Sequence, residues 1–166
     1  QATDADVARA AECAAEDPDG WRSMPVEQRF ELLGKVAQEL RKARGDLIGA
    51  ALADGGKTPM ESDPEISEAI DFAEYYRFSY QTWHSRADLT LSARGTVLVT
   101  PPWNFPLAIA AGGVFAALVA GNRVILKPAL ETAWVGAQLA RLVWQAGVPR
   151  EALQLLRHAD RVCPEA

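Results

Sequence analysis

Asn104 and Lys127 are the two side chains in this sequence that are best placed to do chemistry. Asn104 lies between Pro102 and Pro106, directly after the β-branched run 96–100. Because each proline restricts its own backbone and that of the preceding residue, this turn should be rigid. A carboxamide held in a rigid turn is a candidate for contact with a ligand. Lys127 follows a second apolar run and directly precedes a proline, so it is the second candidate.

Two predicted strands and one predicted helix position these side chains. Residues 96–100 predict a short buried strand, and residues 121–127 predict a second strand that also ends at a proline. The segment 107–120 between them is apolar on all sides and predicts a buried helix, which Gly121 ends. The glycine pair at 112–113 costs helix stability and predicts a close approach to a neighbouring element. In such a βαβ unit ligands bind beyond the carboxyl ends of the strands, where both candidate side chains lie.

Further elements extend this unit into an incomplete α/β domain. Thr132 is suited to cap a helix that runs to about residue 146, and residues 153–156 predict a third strand. The order βαβαβ predicts half of a Rossmann-like, doubly wound parallel sheet. Residues 89–92 predict a strand that pairs with 96–100 in a hairpin. We therefore expect a partial dinucleotide-binding unit over residues 89–166.

Residues 1–88 predict a helical amino-terminal segment. The predicted helices are residues 4–16, a helix that Ser23 caps and Pro25 opens, residues 46–52, and a helix that Asp63 caps and Pro64 opens. The second helix should bury Phe30, Leu33, Val36, Ala37 and Leu40 and expose its basic residues, Arg29 included. The last helix should bury Ile66, Ala69, Ile70, Ala73 and Tyr76.

Composition restricts the class of protein. A net charge of -5 argues against nucleic acid or an anionic membrane as a partner, and the apolar stretch before Gly121 is shorter than a membrane span of about 20 residues. Cys13, Cys163, His84 and His158 have no neighbours at metal-ligand spacing, so we expect no metal and a reducing, cytoplasmic location. Gln1 at the start and the incomplete end predict a piece of a longer protein.

Several motifs together resemble the NAD(P)-dependent aldehyde dehydrogenase superfamily. They are Pro-Trp-Asn-Phe-Pro-Leu at 102–107, Gly-Asn at 121–122, Lys-Pro-Ala at 127–129 and Ala-Gly-Val-Pro at 146–149. Gly-Lys-Thr at 56–58 and the segment 63–72 resemble one branch, the L-glutamate γ-semialdehyde (Δ1-pyrroline-5-carboxylate) dehydrogenases, often part of bifunctional proline-utilisation proteins. The resemblance covers residues 21–156.

The resemblance implies a reaction in which a cysteine thiolate attacks an aldehyde. The oxyanion that forms is held by an asparagine amide, hydride passes to the nicotinamide, and a water activated by a glutamate hydrolyses the thioester. Asn104 matches that asparagine. From spacing alone, Asn104 could equally stabilise its own turn. Neither Cys13 nor Cys163 matches the nucleophile, so we expect the 166-residue chain alone to be inactive.

The resemblance also implies residues that bind cofactor and substrate. Lys127 matches the lysine that binds the adenosine ribose of NAD, although by itself it also fits a lysine in solvent at the end of a strand. The other implied cofactor-binding residues are Thr100, Pro102, Trp103 and Ala129. Where the family commonly has a glutamate that bridges the ribose hydroxyls, this chain has Leu130, with Glu131 next. This difference leaves NADP open beside NAD.

Glu68 matches the residue that contacts the α-ammonium group of the amino-acid aldehyde in this branch, and Phe105 is a second candidate for substrate binding. On spacing alone, Glu68 also fits an ordinary half-exposed helix residue beside Phe72 and Tyr75. Alternative functions are another aldehyde dehydrogenase, for succinate semialdehyde or an aliphatic aldehyde, and a dinucleotide-binding module without catalysis. The resemblance implies a homo-oligomer, with a proline dehydrogenase as a fused or separate partner.

Overall fold

A computed structural model describes residues 2–156. Within these residues, helices form the first half of the chain, and a three-stranded sheet with two crossover helices forms the second. The helices are α1 (Asp4–Glu16), α2 (Val26–Lys42), α3 (Arg44–Gly55), α4 (Pro59–His84), α5 (Ala108–Val119) and α6 (Ala133–Gln145), and the strands are β1 (Thr96–Val99), β2 (Arg123–Leu126) and β3 (Leu153–Leu155). No helix in this part of the chain is long and apolar enough to cross a bilayer.

The sheet has the predicted βαβαβ connectivity. All strands are parallel in the order β1-β2-β3, with Val99 opposite Leu126, so β1 and β2 end at the same edge. This confirms the predicted half of a doubly wound sheet. The prediction that residues 96–100 form a buried strand was wrong, because β1 is an edge strand. Only Val99 is buried, whereas Leu98 is 54% exposed.

Helices α2, α3 and α4 pack on the sheet unit through one continuous core. The predicted apolar face of α2 is buried at all five positions, and so is the stripe of α4 except for Tyr76, which is half-buried. Helix α4 makes its most extensive packing against α5, where Gly112 lies against the ring of Phe72. Gly113 is equally close to Val99, as predicted for two glycines inside a helix. The division of the chain at residue 88 stays a prediction.

Two helix starts differ from the prediction. Helix α4 begins at Pro59, four residues before Asp63, because Thr58 and Glu61 form a capping box. The Glu61 carboxylate accepts hydrogen bonds from the Thr58 amide, at 2.9 Å, and from its hydroxyl, at 2.8 Å. Pro64 therefore lies inside the helix. Both places have a possible cap residue followed by a proline, but only Thr58 has a glutamate three residues later, as a capping box requires.

Ser23 does not cap α2. Its hydroxyl donates to the carbonyl oxygen of Gly20 at 3.0 Å, within a short 3-10 turn that precedes the helix. The exposure predicted for Arg29 was also wrong, since this residue is 6% exposed and its Nε donates to the carbonyl oxygen of Val119 at 3.2 Å. Burial lowers the pKa of the Arg29 guanidinium from its ordinary value.

The predicted hairpin before β1 was wrong as well. Residues 89–92 form no strand, and the two residues directly before β1 are held by the buried side chain of Asn122. The Asn122 oxygen accepts from the amides of Arg94, at 2.6 Å, and Gly95, at 3.0 Å, while its nitrogen donates to the Ala117 carbonyl oxygen at 3.1 Å. One side chain thus satisfies the backbone amides of the two residues that lead into β1.

Candidate functional site

Asn104 lies on the exposed turn between β1 and α5, at the carboxyl edge of the sheet. The turn forms one wall of an open cavity of about 480 Å³, and the end of α3 with the start of α4 forms the other. The cavity is lined by Gly55, Gly56, Lys57, Glu61, Trp103, Asn104 and Phe105. The carboxamide of Asn104 makes no hydrogen bond with any residue in the described part of the chain. It is therefore free to donate to a ligand in this cavity.

Glu65 on α4 holds the far end of this turn. It is 4% exposed, and its Oε1 accepts hydrogen bonds from the amides of Leu107, at 2.7 Å, and Ala108, at 3.0 Å. These amides are at the start of α5, which has no cap from its own sequence. Glu65 therefore caps α5 from another helix, where the sequence suggested only that it lies near the start of its own helix.

Lys57 holds the near end of the same turn. Its Nζ donates to Glu65 Oε2 at 2.6 Å and to the carbonyl oxygen of Asn104 at 3.0 Å. The ammonium group also lies 4.3 Å from the centre of the Phe105 ring, in cation–π contact. Lys57 thus touches both residues 104 and 105 of the turn. Phe105 itself is 44% exposed and lines the cavity, where a substrate could contact it.

Glu61 adds negative charge at the cavity. Hydrogen bonds from the hydroxyl and the amide of Thr58 hold the pKa of the Glu61 carboxyl below its ordinary value. The group is therefore ionised at neutral pH. Together with Lys57, it gives the cavity one carboxylate and one ammonium group beside the neutral amide of Asn104.

Lys127 lies at the same edge of the sheet but does not line the cavity that contains Asn104. Its backbone amide donates to the Val99 carbonyl oxygen at 2.9 Å, which joins the ends of β1 and β2. Its half-buried side chain makes no hydrogen bond or ion pair within residues 2–156 and can donate to a ligand. Ala129 is half-buried beside it, and Thr100, Pro102 and Trp103 are exposed. The binding of the cofactor by these residues stays a prediction.

The amino termini of both crossover helices are already occupied. In many dinucleotide-binding folds a phosphate binds at such a terminus. Here Glu65 accepts hydrogen bonds from the amides at the start of α5. At the start of α6, Asp54 Oδ2 accepts from the amides of Trp134, at 2.7 Å, and Val135, at 3.1 Å. Asp54 thus does what the sequence assigned to Thr132. The phosphates of a dinucleotide would therefore bind away from these two helix termini.

Glu68 is exposed on α4 and forms no ion pair with any residue that the structure describes. It does not line the cavity at Asn104. A second, largely apolar cavity of about 400 Å³ lies between α4 and α5 and is lined in part by Tyr75 and Ser79, without Glu68. The Glu68 carboxylate is thus available to a cationic ligand, and its role in substrate binding stays a prediction. Leu130 is 58% exposed and could not hydrogen-bond a ribose.

Sequence reasoning missed Lys57 and Glu65 as parts of the site. One signal was present for Glu65. Buried positions on α4 recur at residues 62, 65–66, 69–70 and 73, so a carboxylate at 65 faces the core and needs hydrogen-bond partners there. Lys57 gave no comparable signal, because its partner at Asn104 is 47 residues away.

The chain is similar to known proteins over most of its length. The sequence profile of the aldehyde dehydrogenase family matches residues 1–166. The bifunctional protein PutA of Escherichia coli (strain K12) is 37% identical over 94% of this chain and 12% of its own length. The 1-pyrroline-5-carboxylate dehydrogenase of Staphylococcus aureus (strain MW2) is 32% identical over 90% of this chain and 31% of that enzyme.

Solved structures of PutA proteins are also similar to this chain. The crystal structure of proline utilization A (PutA) from Bdellovibrio bacteriovorus matches 96% of this chain and 18% of that one, with a TM-score of 0.89 at 34% identity. The chain thus spans less than a third of the length of these relatives.

Proposed function

The chain belongs to the aldehyde dehydrogenase family, as its motifs predicted, and we propose that it contributes the oxyanion-binding amide of an NAD-dependent L-glutamate γ-semialdehyde dehydrogenase. The full-length enzyme would oxidise the semialdehyde to L-glutamate in proline catabolism. The observation that carries the proposal is the free Asn104 carboxamide, which lines an open cavity at the carboxyl edge of a parallel sheet.

The residues of this chain would bind and orient the reactants. When a cysteine thiolate outside this sequence adds to the aldehyde carbon, the carbonyl oxygen becomes an oxyanion. The Asn104 amide then donates to that oxygen without a charge of its own. Lys127 would hold the ribose hydroxyls of the cofactor from the neighbouring strand end, with Thr100 and Trp103 beneath it. NAD, when bound, accepts the hydride from the substrate.

The substrate class rests on the relatives named as PutA and 1-pyrroline-5-carboxylate dehydrogenases, and on Glu68. A fixed carboxylate favours an aldehyde that bears an ammonium group over an aliphatic aldehyde. The full-length protein would act in the cytoplasm, where the two cysteines of this chain stay reduced. By the same resemblance, it would form a homo-oligomer, with a proline dehydrogenase fused to it or acting as a partner. NADP stays open, because exposed Leu130 does not repel a 2′-phosphate as a carboxylate would.

The experiment that tests this proposal measures NADH formation at 340 nm. The full-length protein should reduce NAD with L-glutamate γ-semialdehyde. The isolated 166-residue chain should not, since it lacks the nucleophile that the family requires. Steady NADH formation by the isolated chain would contradict this assignment of roles. A full-length protein that binds NAD but reduces none with any aldehyde would instead support the module without catalysis.

Charge reversal at Glu68 tests the substrate class. Glu68→Lys should raise the KM of the full-length protein for L-glutamate γ-semialdehyde by about tenfold or more, because a carboxylate–ammonium hydrogen bond is replaced by repulsion. The KM for propionaldehyde should stay unchanged. A matched control is Glu74→Lys on the same helix, whose carboxylate pairs with Arg41 and Arg77. Equal effects on both aldehydes would favour the alternative of a dehydrogenase for succinate semialdehyde or aliphatic aldehydes.

A further inference from the structure

We infer that Lys57 and Glu65 form a positioning pair that fixes the Asn104 turn for reaction. The inference rests on the proposed role of Asn104. It starts from the contacts of one buried ion pair, in which the Lys57 side chain is 13% exposed and that of Glu65 is 3% exposed. Lys57 lines the cavity, but its ammonium group already donates to Glu65 and to the Asn104 carbonyl oxygen, and Glu65 does not line the cavity. Their contacts instead lead to the backbone on both sides of Asn104.

The two ends of the turn are fixed by this single pair. Lys57 donates to the Asn104 carbonyl oxygen at 3.0 Å, and Glu65 accepts from the amides of Leu107 and Ala108 at 2.7 and 3.0 Å. The 2.6 Å contact between Lys57 Nζ and Glu65 Oε2 joins the two anchors. The backbone from residue 104 to residue 108 therefore cannot shift at one end without breaking a charged hydrogen bond.

Stability alone does not account for such a pair. Removing two charges from water costs about as much as their attraction returns, and well-packed apolar side chains often replace a buried pair without loss. What apolar side chains cannot do is accept from two amides and donate to one carbonyl oxygen. The pair therefore selects one conformation of the turn.

Conformation matters here because oxyanion stabilisation depends on placement. The donor must lie about 2.7–3.1 Å from the position that the oxyanion will take, and an amide on a turn that moves by an ångström loses this contact. Within residues 2–156, the Asn104 side chain makes no hydrogen bond that would hold it. Its placement thus depends on its backbone, which Lys57 and Glu65 fix.

The test uses the full-length protein and the double variant Lys57→Met/Glu65→Gln. Glutamine keeps an oxygen that can cap α5, and no charge is left unpaired in the interior, so this variant should fold where Lys57→Met alone could fail. The hydrogen bond to the Asn104 carbonyl oxygen is lost. We expect kcat to fall about tenfold, within the range of coupling between residues in contact, with the KM for NAD unchanged.

The double variant Lys57→Met/Glu65→Gln made in an Asn104→Ala background distinguishes a positioning role from a general effect on the structure. If the pair acts through Asn104, adding Lys57→Met/Glu65→Gln to Asn104→Ala should lower kcat little further than Asn104→Ala alone. Arg44→Met is the matched control, because Arg44 also joins α3 to α4, through Ser67 at 2.9 Å and Asp63, without reaching the turn. Its kcat should equal that of the unmodified protein.

Two outcomes would overturn the inference while leaving the proposed function intact. One is an unchanged kcat in the Lys57→Met/Glu65→Gln variant. The other is a full additional loss from that change when Asn104 is already alanine. If Asn104→Ala itself retains the full kcat, both the proposed function and the positioning role fail, so the two failures are distinguishable.

Discussion

Replacing Asn104 by alanine should lower the kcat of the full-length protein by a factor of ~10²–10³, the usual loss on removing one oxyanion donor. The loss should appear in kcat and in kcat/KM alike, because the hydrogen bond is strongest when the carbonyl oxygen carries charge. The KM for NAD should change little. The thermal unfolding midpoint should also be unaffected, since the exposed Asn104 side chain makes no hydrogen bond within the described residues.

An isosteric change distinguishes hydrogen-bond donation from shape. Asn104→Asp keeps the size of the side chain but replaces the donating amide by a carboxylate, which repels an oxyanion. Its kcat should therefore be no higher than that of Asn104→Ala. Gln145→Ala is a suitable control, because Gln145 is an exposed amide at the end of α6, far from the cavity lining. An Asn104→Ala variant with the kcat of this control would contradict the proposed role.

The local parts of this site could be predicted from sequence. The β-branched run, the two prolines after it and the apolar helix give β1, the turn and α5 within a few residues, because each signal acts over a few positions. The glycines at 112 and 113 also gave a correct prediction of close packing, against Phe72 and Val99. Short-range rules therefore located Asn104 at the carboxyl edge of the sheet.

Sequence rules that consider only neighbouring residues could not predict the contacts that hold the site. Glu65 caps α5 from 42 residues away, and Asp54 caps α6 from 80 residues away. Sequence rules look for a cap immediately before the helix, as they did with Thr132. Once the fold brings a carboxylate from another helix to the exposed amides, no local cap is needed. Such partners become visible only when the packing of α3 and α4 is known.

Buried charged residues could not be predicted from neighbouring residues in the sequence either. The basic residues of α2 were expected in solvent. Arg29 is nevertheless buried, because the carbonyl oxygens of Met24 and Val119 accept hydrogen bonds from its guanidinium. Arg123 on β2 is fully buried as well, at 0% exposure. The alternation of residue types along a strand cannot reveal a buried arginine whose partners lie more than 100 residues earlier.

Replacing Arg123 by methionine should destabilise the domain by about 3–5 kcal/mol, the usual cost of breaking a buried ion pair by removing one partner. Arg123 Nη1 donates to Asp17 and, at 2.7 Å, to Asp19, both in the turn that follows α1. Without the guanidinium, two nearly buried carboxylates would face each other with no cation between them. The thermal unfolding midpoint of the full-length protein measures the change.

Two further variants distinguish the effect of unpaired charge from the effect of lost packing: one that also neutralises the two carboxylates, and one in an exposed ion pair. Arg123→Met combined with Asp17→Asn and Asp19→Asn should recover most of the lost stability, because no unpaired charge remains inside. Arg86→Met should not change the midpoint, since Arg86 and its partner Asp88 are both more than half exposed and water screens their attraction. If Arg123→Met unfolds at the same temperature as Arg86→Met, the ion triad does not join α1 to the sheet.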